Sequence, residues 1–103
     1  MITAIVRYKL PSKIDRKACE AHFRKIAGGF GSAAGLIRKQ FVWSENGTAG
    51  GVYQWDNIEN AKKFYQGPWL AGILERYGMY PEIEYFNTVA IMDNPGGVVT
   101  EPT

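Results

Sequence analysis

Residues 36–55, LIRKQFVWSENGTAGGVYQW, hold two extended runs on either side of an Asn46-Gly47 pair. In the first, Ile37, Lys39, Phe41 and Trp43 alternate with Leu36, Arg38, Gln40 and Val42, which is the two-residue period of a strand. In the second, Gly50 to Trp55, Tyr53 and Trp55 share one face. Asn-Gly supplies the two positive φ values of a tight hairpin turn, so the runs read as antiparallel neighbours. Gly50-Gly51 at the start of the second run predicts a bulge or a close backbone contact.

Upstream, Ile2 to Lys9 places Ala4, Val6 and Tyr8 on one face and Thr3, Ile5, Arg7 and Lys9 on the other, a first strand closed by Pro11. Ser12-Lys13-Ile14-Asp15 resembles a capping box. Cys19, Phe23, Ile26 and Phe30 then recur at helical spacing among charged neighbours, and Gly28, Gly29 and Gly31 soften the end of that helix. Downstream, Asp56-Asn57 offers a second cap, and Ile58, Ala61, Phe64 and Tyr65 form a helical face. Gly67-Pro68 interrupts it and permits a new helix through Trp69, Leu70, Ile73, Leu74 and Tyr77, up to Gly78. After Pro81 the run Glu82 to Met92 reads as a last strand.

The order β-α-β-β-α-β predicts an α+β ferredoxin-like sandwich: a four-stranded antiparallel sheet with helices on one face. The last strand is apolar on both sides, with Ile83, Tyr85, Val89 and Ile91 opposed to Phe86, Ala90 and Met92. This topology leaves that strand at an edge, where exposed apolar surface invites aggregation. A second copy covering the bare sheet face removes the difficulty, so a homodimer is expected. Residues 1–94 form the single expected domain, with 95–103 as a tail that is flexible or touches the partner.

Composition bounds the function. At 103 residues, 46% hydrophobic and 21% charged, the chain is an ordinary globular domain rather than a disordered one. A net charge of +2 argues for neither nucleic acid nor an acidic membrane surface. The apolar run at Met1 to Leu10 contains Arg7 and Lys9, so it reads as neither signal peptide nor membrane span, and a cytoplasmic location is expected. The lone Cys19 makes no internal disulfide and reads as a small buried hydrophobe.

Gly29-Phe30-Gly31-Ser32-Ala33-Ala34-Gly35 superficially matches a dinucleotide fingerprint, but it follows a helix and precedes a strand, the reverse of what that motif needs. Asn46-Gly47-Thr48 reads as turn chemistry rather than a glycosylation signal. Without a Walker loop, an HExxH motif or a Cys/His cluster, no metal and no cofactor are expected. His22, at the boundary of the apolar stripe, is the only side chain whose ordinary pKa lies near neutrality and the candidate general base; its plainer reading is a flanking surface histidine.

Of the 103 residues, 14 are Phe, Trp or Tyr. Phe41 and Trp43 share a strand face, Tyr53 and Trp55 another, and Tyr65 and Trp69 flank the helical break. These rings could line an apolar pocket that orients a flat ligand, although each alone more often belongs to a core or a dimer seam. Arg38 and Lys39 alternate with apolar neighbours, so one of them turns inward. An inward Arg38 is the candidate to stabilise a phenolate or enolate; its plainer reading is a solvated charge at the sheet edge.

Gly35-Leu36-Ile37-Arg38-Lys39, Ala49-Gly50-Gly51-Val52-Tyr53-Gln54-Trp55, Ala61-x-x-Phe64-Tyr65, and the stretch from Glu75-Arg76-Tyr77-Gly78 through Pro81-Glu82-Ile83-Glu84-Tyr85-Phe86 resemble the YdhR-like mono-oxygenase family. The resemblance spans roughly Ile2 to Asn94. It implies the βαββαβ fold, a homodimer, and a place in the dimeric α+β barrel superfamily, which contains mono-oxygenases that use neither metal nor flavin. It transfers no catalytic set. Haem-degrading relatives use a histidine on a later helix, and this sequence has none there.

The expected function is a cofactor-independent mono-oxygenase for a small hydrophobic, aromatic or enolisable substrate. His22 would be catalytic, and Arg38, Phe41, Trp43, Tyr53, Trp55, Tyr65 and Trp69 would bind substrate. An isomerase or cyclase on the same scaffold and a non-catalytic dimeric binding protein are the alternatives.

Overall fold

The computed structural model describes residues 1–102, so Thr103 of the expected tail lies outside the described residues. Strand β1 (Ile2–Lys9) leads to helix α1 (Arg16–Ile26), which runs on as a 3-10 turn over Ala27–Ser32. The hairpin β2 (Leu36–Trp43) and β3 (Thr48–Trp55) follows, then helices α2 (Ile58–Phe64) and α3 (Gly67–Tyr77) and strand β4 (Glu82–Asn87). The strands form one antiparallel sheet in the order β2-β3-β1-β4, which is the expected ferredoxin-like arrangement with β4 at an edge.

Local chemistry sets each boundary. Asp15, not Ser12, caps α1, its carboxylate accepting from the Ala18 N–H at 2.8 Å. Three residues of loop separate Ser12 from the first helical turn, too far for the cap the sequence suggested. Asn57 caps α2 in the same way, accepting from the Asn60 N–H. Pro68 opens α3, and Gly78, at φ 74°, closes it in the left-handed conformation. Gly47, at φ 85°, is the one left-handed residue of the hairpin turn. Asn46 instead accepts from the Thr48 N–H through its side chain, which makes a three-residue connection rather than the two-residue turn expected.

The sheet's inner face carries Ile2, Ala4, Val6, Tyr8, Ala49, Tyr53 and Trp55, which pack with Cys19 and Phe23 of α1, Ala61 of α2, Tyr65 and Tyr77. The close contact expected at Gly50 is real: a Cβ there would run into the Val6 carbonyl oxygen.

The last strand departs from expectation. β4 stops at Asn87, opposite Ile2, because β1 offers no rung beyond that residue. Thr88 tucks in through its N–H to the Met1 carbonyl and its hydroxyl to Thr3. Val89 and Ile91 therefore do not continue the sheet face of Ile83 and Tyr85. Strand β5 (Ile91–Asp93) instead pairs with β6 (Val98–Thr100), so this part of the tail is an ordered hairpin.

Candidate functional site

A cavity of about 270 Å³ lies between the inner sheet face and helices α1 and α3. Phe23 and Phe30 enter from α1 and the turn that follows it, Phe41 and Tyr53 from the hairpin, and Trp69, Ile73 and Tyr77 from α3. Three basic side chains line it: His22 from α1, Lys39 from β2 and Arg76 from α3, with no Asp or Glu among the lining residues. A larger, more open groove of about 340 Å³ lies along the other side of α1. There Arg16 and Arg24 share the Glu20 carboxylate, at 3.5 and 3.8 Å.

Lys39 is the side chain that sequence reasoning passed over in favour of Arg38. Lys39 alternates in phase with Phe41 and Trp43, and a register shift between Leu36 and Arg38 lets Leu36 face inward as well while Ile37 and Arg38 are exposed. Its Nζ lies 3.7 Å from the ring centroids of Phe30 and Phe41 and 4.6 Å from that of Tyr53. Gly51, on the neighbouring strand, makes the space: a Cβ there would stand 2.9 Å from Lys39 Cε and 2.8 Å from Tyr53 Cε1. Burial lowers the Lys39 pKa from its ordinary 10.5 to about 7, so the amine is part neutral at neutral pH. The ring faces favour the cation and leave a charged fraction in place.

The other polar groups fit one pattern. Burial, then the positive charges of Arg76, Lys25 and Lys39, lower the His22 pKa and keep its ring neutral. Arg76 lines the cavity, and its Nε is buried and has no hydrogen-bond partner. Tyr8 stacks on Tyr77 with ring centroids 4.1 Å apart, and its hydroxyl donates to that of Tyr77 at 3.5 Å. Burial, before any neighbour, raises the pKa values of Tyr8 and Tyr53 and holds both phenols neutral. The cavity thus combines flat apolar walls, neutral bases and cationic donors, an arrangement that favours a ligand becoming an anion.

Of the eight side chains the sequence nominated, His22, Phe41, Tyr53 and Trp69 reach this cavity. Arg38 is exposed on the opposite sheet face, because the strand's phase gives the inner position to Lys39. Trp43 lies in the open groove with the Arg16 guanidinium 4.7 Å over its ring. Trp55 is fully buried, its indole N–H donating to the Tyr65 hydroxyl at 3.0 Å, so each occupies the other and both belong to the core. Lys39, Arg76, Tyr8 and Tyr77 were missed. For Lys39 a signal existed, its phase with Phe41 and the glycine across from Phe41; for the others, only the packing of α3 on the sheet assembles them. Burial raises the Cys19 pKa, in keeping with its reading as an inert apolar filler. Among the described residues no three His, Cys, Asp or Glu side chains gather to hold a metal, and no helix is long and apolar enough to cross a membrane.

No protein-family model matches this chain, and no curated protein matches it. Solved structures resemble it over most of its length. A protein of unknown function from Nitrosomonas europaea superposes with a TM-score of 0.73 at 13% identity, over 92% of this chain and 95% of that one. A candidate antibiotic biosynthesis monooxygenase from Deinococcus radiodurans gives 0.66 at 14% identity, over 93% and 100%. A mutant of SnoaB, a cofactor-independent oxygenase from Streptomyces nogalater, gives 0.62 at 14%, over 84% and 91%. The chain has their fold. That ferredoxin-like α+β fold is the one the YdhR-like resemblance implied, and at such identities the likeness is one of architecture.

Proposed function

We propose that the protein is a cofactor-independent mono-oxygenase acting on a small aromatic or enolisable substrate in the 270 Å³ cavity. The observation that carries this reading is the set of three basic side chains facing an aromatic pocket with no carboxylate lining it. The printed names of the fold neighbours and the YdhR-like resemblance support it. His22 takes the substrate's acidic proton, and Phe41, Tyr53 and Trp69 hold its plane. Lys39 in its charged form and the Arg76 guanidinium stabilise the resulting anion, the part assigned to Arg38 from the sequence. The anion reduces O2, the radicals combine, and the protonated peroxide loses water to leave one oxygen atom in the product. A water-poor pocket raises the energy of the anion and favours this electron transfer.

Oxygen uptake measured alongside substrate loss tests the reading. Equal consumption of the two is expected, and His22→Ala should lower turnover by ~10²–10⁴-fold, the usual worth of a positioned base. Substrate conversion without oxygen uptake would identify an isomerase or cyclase. A ligand recovered unchanged from air would identify a binding protein.

We propose further that the working unit is a cytoplasmic homodimer formed by the 1–94 domain, with the tail reaching the partner. The outer sheet face bears Ile5, Val42, Val52 and Phe86 with no helix over it. The β5–β6 hairpin adds Met92, Val98 and Val99, each more than half exposed. A stable pair needs on the order of 1,600 Å² of buried surface, and the hairpin's exposed apolar residues add to what the sheet face offers. Sedimentation at micromolar concentration should give twice the 11.5 kDa chain mass, and a persistent 11.5 kDa particle would rule the dimer out.

A further inference from the structure

We propose that Lys39 is a nucleophilic amine that condenses with an aldehyde or ketone entering the cavity, making carbonyl compounds a covalent ligand class of this protein. The inference rests on the same cavity admitting a ligand, and not on oxygen chemistry. The step balances without oxidant or reductant. The Nζ lone pair forms a bond to the carbonyl carbon, and the oxygen leaves as water with the two protons the nitrogen sheds. An imine C=N bond remains.

Placement argues for this reactivity. Lys39 is one of seven lysines, and the other six are exposed. Its stem lies in the gap left by Gly51, and its nitrogen stands over the faces of Phe30 and Phe41 at the cavity wall. No carboxylate lines the cavity to hold an ammonium ion, and Arg76 and His22, the other basic groups there, do not favour a further positive charge. Amines in such dry, uncompensated settings give up their proton and become nucleophiles. Burial brings this one to a pKa of about 7, so a large share is unprotonated at neutral pH.

Benzaldehyde with sodium cyanoborohydride at pH 7 tests the proposal, since the reductant fixes any imine as a benzylamine. Peptide mapping of the intact protein should place one benzyl group per chain on Lys39, forming at least ~10-fold faster than on any exposed lysine, as the larger neutral fraction requires. Lys39→Arg should abolish the fast label. Labelling spread evenly over the surface lysines would overturn the proposal. Quenching of tryptophan fluorescence by 1-naphthol, which lacks a carbonyl, separates the two readings. Naphthol binding with Lys39 unlabelled overturns the amine and leaves the aromatic pocket standing. Lys39 labelling without naphthol binding upholds the amine and counts against the aromatic substrate proposed above.

Discussion

Trp55→Ala should lower the unfolding free energy by ~3–5 kcal/mol, the usual cost of emptying a fully buried indole site. A domain of this size holds only ~5–15 kcal/mol in total, so the variant should melt on the order of 15–20 °C lower and unfold at much lower urea. Two effects combine. The indole is fully buried, stacked on Tyr53 within 7° of parallel and flanked by Phe64 and Tyr65 with centroids 5.2 and 5.7 Å away, so a cavity cannot close without moving three rings. Its N–H is also the donor to the Tyr65 hydroxyl, which would be left buried without that bond. Trp55→Phe separates the terms, because it keeps most of the packing and loses only the hydrogen bond, and it should cost ~1–2 kcal/mol. Urea midpoints for the two variants, compared at one pH, check this. Near-native stability in Trp55→Ala would mean that the residue lines accessible space instead, as the sequence alone had suggested.

That reversal shows where sequence reading reaches its limit. Alternation placed Ala4, Val6 and Tyr8 inward, and glycine and proline punctuation divided α2 from α3, because these depend on neighbours a few residues apart. The fold was legible for that reason. The candidate site depends instead on which inward residues meet across elements. Trp55 and Tyr65 look like pocket walls singly, and only their mutual hydrogen bond shows them to be core. Tyr8 and Tyr77 are 69 residues apart in sequence and stack only because the fold brings the end of α3 to the end of β1. The choice between Arg38 and Lys39 turned on which face of β2 packs inward, and a shift of one in a strand exchanges its faces. His22 was nominated for its chemistry, as the only side chain whose ordinary pKa lies near neutrality, and its place at the boundary of the apolar stripe left a surface position open.

Lys39 also gives the protein a stability that should climb with pH. Its folded pKa is depressed to about 7, whereas in the unfolded chain it lies near the ordinary 10.5. Below pH 7 both states carry the proton, and the folded state bears the full cost of a desolvated cation. Between pH 7 and about 10 the unfolded chain binds more protons than the folded one, so unfolding free energy rises with pH across that window. A tenfold change in proton affinity is worth ~1.4 kcal/mol, which makes the rise on the order of 2–4 kcal/mol. His22, also depressed, acts in the same direction but below its ordinary 6.5, so it does not overlap. The groups that face Lys39 across the cavity set the upper limit. Tyr8 and Tyr53 are held neutral by burial, and above pH 10 the unfolded chain ionises where the folded one does not, so stability falls again. Lys39→Met should therefore be more stable than the wild type at pH 6.5 by a few kcal/mol, converge with it near pH 10, and lose the intervening slope. Urea titrations of both proteins at half-unit steps between pH 6 and 10 read this directly. Parallel curves would place the Lys39 ammonium in water, outside the ring of Phe30, Phe41 and Tyr53, and with it would go the reactive amine inferred from the same geometry.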